Sequence, residues 1–122
     1  MIEKKKTLIV GASTNPERYS FIAANKLLRF GHPIVMFGLK DGIVATELIQ
    51  TSFPTDSDFD TVTMYMNDQR QKPYEEKIIS LKPKRIIFNP GAENNSLMKK
   101  ANEAGIETVE ACTLVLLSIG QY

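Results

Sequence analysis

The sequence predicts an α/β fold: a Rossmann-like open parallel sheet of about five strands with helices on both faces. Three observations predict it. Short apolar runs recur along the chain, helix-patterned segments separate them, and the first run passes directly into a glycine and a loop of small polar residues before the next helix. Strands that alternate with helices form βαβ units, and their right-handed crossovers build a parallel sheet covered on both sides.

The elements follow in chain order. Thr7-Leu8-Ile9-Val10 carries no charge, as expected of a strand buried on both faces. From about Ser20 to Phe30, Phe21, Ala24 and Leu28 recur at helical spacing with Ala23 and Leu27 alongside; Ser20 is the predicted cap and Gly31 the stop. Pro33-Ile34-Val35-Met36-Phe37 is the second strand, with proline at its first position, where no ladder bond is donated. Between Gly38 and Asp60 only Glu47–Gln50 reads as a short extended piece, and Pro54 to Asp60 is a polar turn region. Thr61 to Met66 is the third strand. A helix over about Gln69–Leu81 follows, capped by Asn67 or Asp68 and stopped by Lys82-Pro83. Arg85–Phe88 is the fourth strand, about Glu93–Ala104 a helix closed by Gly105, and Ile106–Glu110 the fifth strand. The apolar stretch Leu114–Ile119 is a terminal helix packed on the sheet. No repeat, low-complexity tract or linker interrupts the 122 residues, so one domain over residues 1–122 is expected.

Composition narrows the function. Apolar residues make up 43% and charged residues 24%, an ordinary globular mix. Fifteen basic residues against fourteen acidic ones leave a formal charge of +1, which argues against nucleic acid or an anionic membrane as the general partner and makes any anion site a local one. The single cysteine, Cys112, forms no internal disulfide, a reducing compartment is the simplest reading, and no apolar run approaches the length of about 20 residues that crosses a membrane. The start, Met1 to Lys6, has no apolar signal segment, so a cytoplasmic location is expected.

In a parallel sheet of this kind ligands sit beyond the carboxyl ends of the strands. The first loop there reads Gly11-Ala12-Ser13-Thr14-Asn15-Pro16-Glu17-Arg18-Tyr19-Ser20. Gly11 permits a sharp turn, Ala12 and Ser13 are small enough for a phosphate to approach the main chain, and Ser13, Thr14 and Ser20 add hydroxyls. The helix that begins near Ser20 aims its free N–H groups and positive dipole end at the same place. Together these describe an anion cradle, to which Arg18 adds a charge or from which it faces solvent. It is neither a Gly-x-Gly-x-x-Gly dinucleotide fingerprint nor a P-loop. After the second strand stands Gly38-Leu39-Lys40-Asp41. Lys40 favours an additional phosphate over the bare ribose that an acidic residue would bind, while Asp41 keeps an NAD reading open.

Gly11-Ala12-Ser13-x-Asn15-Pro16-x-Arg18-x-Ser20, with the helix ending Gly31-His32, the Gly91 turn, Glu103-Ala104-Gly105-Ile106 and the late Cys112, resembles the small CoA-binding proteins of the CoA-binding-domain superfamily. These are stand-alone relatives of the nucleotide-binding domain of the succinyl-CoA ligase alpha subunit. The resemblance implies a Rossmann-like fold and coenzyme A or an acyl-CoA as ligand, with its pyrophosphate at the first loop. It further implies that Gly11, Ala12, Ser13, Ser20 and Lys40 contact phosphates or ribose, and that Tyr65, Met66, Asn89, Pro90 and Gly91 line the adenine and pantetheine path. Thr14, Asn15, Arg18, Gly38 and Cys112 complete the candidate set. The chain departs from relatives in having Phe37-Gly38-Leu39 where Val-Asn-Pro is common, and Glu110-Ala111 where Asp-Arg often precedes the cysteine. The ligase's phosphorylated histidine and the domain around it have no counterpart.

No catalytic residue is evident. His32, the only histidine, belongs to a helix–strand connection at the far end of the sheet, out of reach of a reacting proton. One His and one Cys do not assemble a usual metal site. Cys112 either meets the thiol end of CoA or is a small buried hydrophobe. Three functions stay open: a CoA-binding module without chemistry of its own, a minimal NAD(P)-binding oxidoreductase-like protein, and an interaction domain with a vestigial pocket. A small molecule is the expected partner, and a homodimer is left open.

Overall fold

A strand that must be uncharged on both faces sits in the middle of the sheet. In the computed structural model, which describes residues 3–122, β1 (Thr7–Val10) is buried along its whole length. It pairs in parallel with β2 (Ile34–Phe37) on one side and β5 (Thr61–Met64) on the other. β6 (Arg85–Phe88) adds to β5 and β7 (Glu107–Glu110) to β6, both parallel. Leu8 and Val10 enter one core with Val62, Met64, Ile86 and Phe88, whereas Ile9 enters a second core with Met36 and Ile49. This alternation requires helices on both faces. α1 (Tyr19–Arg29) and α5 (Thr113–Ser118) cover one face through Ala24, Leu27 and Leu117. α3 (Glu75–Ser80) and α4 (Asn95–Glu103) cover the other through Ile78, Leu97 and Ala101.

The sheet has seven strands rather than about five, in the order β3-β4-β2-β1-β5-β6-β7. The additional two form an edge hairpin, β3 (Gly42–Val44) antiparallel to β4 (Glu47–Gln50), with β4 parallel to β2. The extended piece expected at Glu47–Gln50 is β4. Its partner escapes sequence reading because the two-residue turn is Ala45-Thr46 and not the Asn-Gly that such turns favour. Both turn residues have positive φ, 51° and 71°, which costs about 1–2 kcal/mol for a residue with a Cβ. Ala45→Asn combined with Thr46→Gly is therefore expected to stabilise the protein by about 1–2 kcal/mol. A urea-denaturation midpoint at or below that of the wild type would contradict the turn assignment.

The helix expected over 69–81 is broken. α2 (Asp68–Gln71) gives way to a 3₁₀ turn at Lys72–Tyr74 before α3 begins. Pro73 causes the break, since it has no N–H and its ring crowds the carbonyl one turn earlier. Asn67 caps α2 by accepting the Arg70 N–H at 2.9 Å. Asn94, one residue beyond Glu93, caps α4 by accepting the Leu97 N–H at 3.1 Å. No helix among the described residues is long and apolar enough to cross a membrane.

Candidate functional site

The parallel register brings Val10, Phe37, Met64, Phe88 and Glu110 to one level, so the loops after β1, β2, β5, β6 and β7 leave the sheet together. The chain runs from β1 outward to β2, then crosses back over β1 to start β5. The gap above β1 and β5 is thus the point where strand order reverses, the usual place for a ligand in an open α/β sheet. A cavity of about 610 Å³ lies there, within the size range of small-molecule sites.

The first loop forms one wall through Gly11, Ala12, Ser13, Thr14, Arg18, Tyr19 and Ser20. Its amides divide into two sets. Those of Gly11 and Ala12 both donate to the Phe37 carbonyl at 2.9 Å; they extend the ladder to β2 and are not free to hold an anion. Those of Ser13, Thr14, Tyr19 and Ser20 meet no acceptor among the described residues. Ser20 does not cap α1 as expected. The cap position is Arg18, which makes no side-chain cap bond, and Ser20 is buried inside the first turn. The start of α1 therefore presents uncapped N–H groups and no acidic residue. Ser13 Oγ accepts the Asn15 N–H at 3.0 Å, which leaves its own O–H to donate. Asn15 does not line the cavity and accepts the Glu17 N–H at 2.9 Å on Oδ1.

Two glycines let the loops meet. Gly11 has φ +99°, and a Cβ there would stand 2.9 Å from the Tyr65 carbonyl carbon. At Gly38 a Cβ would stand 2.6 Å from the Ala12 carbonyl oxygen. Gly38 is thus a packing residue behind the first loop and does not line the cavity.

Lys40 and Leu39 come from the β2 end, and Tyr65, Met66, Asn67 and Arg70 from the β5 end. Tyr65 is largely buried; burial pushes its phenol well above the ordinary range, and nearby Thr113 and Thr63 offset this only in part. Its hydroxyl makes no hydrogen bond to any described residue. Pro90, Gly91 and Ala92 complete the wall from β6. Asn89 is buried below them and spends its amide inside the protein: Nδ2 donates to Thr63 Oγ1 at 2.7 Å and to the Met64 carbonyl at 2.9 Å, and Oδ1 accepts the Thr113 N–H at 2.8 Å. Cys112 occupies the cap position of α5, half-buried and off the cavity wall.

Eleven of the expected residues thus meet around one cavity, and Asn15, Gly38, Asn89 and Cys112 stand outside it. Tyr19, Leu39, Asn67, Arg70 and Ala92 also line it. Tyr19, Leu39, Asn67 and Ala92 are chain neighbours of residues already singled out, so extending each loop by one residue would have found them; Arg70 carries no motif. The lining holds three cations, Arg18, Lys40 and Arg70, and no carboxylate, although acids and bases nearly balance over the whole chain. None of the three forms an ion pair among the described residues.

His32 is at the other end of the sheet, as expected. It is buried before β2, accepts the Lys5 N–H on Nδ1 at 3.0 Å and packs against Tyr122. Burial, then the nearby Lys5 and Arg85 charges, lowers its pKa, so it is a neutral packing residue.

A family model for the CoA binding domain matches residues 5–118. The chain belongs to the CoA-binding domain family. Solved structures share the fold. One described only as an uncharacterized protein is 45% identical, with a TM-score of 0.97 over 99% of this chain and 100% of that one. A hypothetical protein from Pyrococcus horikoshii OT3 is 27% identical, with a TM-score of 0.82 over 93% of this chain and 81% of that one. A protein from Thermus thermophilus, 17% identical with a TM-score of 0.82 over 98% and 91% of the two chains, shares the fold. No curated protein matches.

Proposed function

We propose that this protein is a cytoplasmic binding module for coenzyme A or an acyl-CoA, with no chemistry of its own. The diphosphate lies against the free amides of Ser13, Thr14, Tyr19 and Ser20, with Arg18 beside it. Lys40, on the β2 side, faces the ribose phosphate, since the adenosine half of a nucleotide lies on that side of a Rossmann-like sheet. Pantetheine then runs along Met66, Pro90 and Gly91. One observation carries this reading: four main-chain N–H groups that meet no acceptor among the described residues belong to residues lining a cavity that holds three cations and no carboxylate. Unsatisfied N–H groups at a helix start bind anions, and the β2 end brings Leu39 and Lys40 to the cavity wall while Asp41 stays off it, which disfavours NAD, whose ribose hydroxyls call for an acid there.

Titration calorimetry against CoA, desulfo-CoA, NAD and NADP tests the proposal. CoA is expected to bind tighter than NAD by about tenfold or more, close to 1.4 kcal/mol. Desulfo-CoA should match CoA, because no thiol contact enters the argument. NADP is the sharper competitor, since it offers a diphosphate and a ribose phosphate together. Equal or tighter NAD binding would reject the ligand, and absence of binding to all four would favour an interaction domain with a vestigial pocket.

A further inference from the structure

Arg70 sits on the cavity wall although it belongs to a helix that has little reason to be stable. α2 has four residues, too few to hold itself in water. It is fixed instead from both sides of Arg70. Asn67 accepts the Arg70 N–H. Gln71, fully buried, donates from Nε2 to the Met66 carbonyl at 2.6 Å and the Ala92 carbonyl at 2.8 Å, and its Oε1 accepts from Asn94 Nδ2 at 2.8 Å. Asn94 also donates to Glu75, which further accepts from Ser96 and Lys100. Burial alone would raise the Glu75 pKa, but the bonds from Asn94, Lys100 and Ser96 hold it below the ordinary carboxylate range. A buried network whose members are all satisfied fixes geometry. This one joins the loops after β5 and β6 and fixes the backbone beside Arg70.

The guanidinium is exposed, makes no side-chain hydrogen bond among the described residues and has no carboxylate in the cavity to pair with. Lys40 beyond β2 and Arg70 beyond β5 flank the β1 loop on its two sides. Like charges around one cavity repel, and a polyanion between them removes that cost.

We propose that Arg70 is a binding residue for the diphosphate of the ligand, meeting it from the β5 side while the loop amides hold it from the β1 side. The planar guanidinium suits two phosphate oxygens at once. This inference rests on the nucleotide reading above, and the test separates the two.

Wild type, Arg70→Gln, Arg70→Lys and Lys40→Gln are titrated with CoA and with 3′-dephospho-CoA, which keeps the diphosphate and lacks the ribose phosphate. Arg70→Gln is expected to weaken both ligands alike, by about tenfold. Arg70→Lys recovers only part, because an ammonium lacks the fork. Lys40→Gln weakens CoA more than dephospho-CoA. Melting temperature should not change in Arg70→Gln. Affinities within about twofold of wild type, or a loss confined to CoA, would overturn the assignment of Arg70 to the diphosphate. A wild-type protein that binds neither ligand would overturn the CoA reading itself, and this inference with it.

Discussion

Gly11→Val is expected to destabilise the protein by about 3 kcal/mol or more and to abolish CoA binding, combining a backbone strain of about 1–3 kcal/mol with an overpacking cost of similar size. The strain comes from φ +99°, which a β-branched residue does not adopt without cost. The overpacking comes from the Cβ, which would lie 2.9 Å from the Tyr65 carbonyl carbon and 3.1 Å from the Met66 amide nitrogen. The Met66 side chain, 3.0 Å away at Cγ, can swing aside; the backbone cannot. Tyr65 donates its N–H to the Val10 carbonyl at 2.8 Å, and the Met66 carbonyl accepts from the buried Gln71. The first loop has to yield instead, and the free amides of Ser13 and Thr14 move with it. Urea denaturation read alongside calorimetry checks both parts. A variant with the wild-type midpoint would show that the two loops are not held against each other, whatever happened to binding.

Taken from the sequence alone, Gly11 permits a sharp turn, and the family resemblance adds a phosphate contact; the packing of its Cα against the Tyr65–Met66 backbone depends on β5 and is not visible there. Strands β1, β2, β5, β6 and β7 and the place of the cavity are legible because each depends on local pattern: an uncharged run, a glycine, small polar residues and a helix start. The parallel register then places the loop ends together by geometry. What was not legible depends on pairing between distant residues. That the Phe37 carbonyl takes the Gly11 and Ala12 amides follows from where β2 lies beside β1, and it leaves the free amides to Ser13 and Thr14, further along the loop. Of the hairpin Gly42–Val44 and Glu47–Gln50 only the second strand is legible, because Ala45-Thr46 lacks turn chemistry. Pro73 is a visible break in the helix over 69–81, but Tyr74, Ile78 and Leu81 beyond it share one helical face, so the pattern reads straight through it. Arg70 could not be found by motif, because what places it is a buried glutamine bonded to two loops far apart in the chain.

Asn89 is the second position where a large effect is expected, and it separates a structural role from a ligand-binding one. Next to Pro90-Gly91 it reads as pocket wall, yet its side chain joins three elements: β5 through Thr63 and Met64, β6 on which it follows, and α5 through the Thr113 amide. Thr63 and Thr113 also bond each other at 2.8 Å, so the cluster is closed and buried. Asn89→Ala leaves the Thr113 N–H and the Met64 carbonyl without this partner in the interior, an expected loss of about 2–4 kcal/mol. Affinity for CoA, measured where the variant is still folded, should fall far less. Asn89→Asp sharpens the test. Its carboxylate can still accept from Thr113 but faces the Met64 carbonyl with no proton to donate, so its folded-state pKa is raised above the ordinary value of about 3.9. A group with a raised folded pKa loses stability as pH rises through that value. The deficit of this variant relative to wild type should therefore shrink on acidification, as the protonated acid regains a donor. If Asn89→Ala instead kept the wild-type denaturation midpoint and lost CoA binding, the residue would belong to the ligand and not to the clasp between β5, β6 and α5.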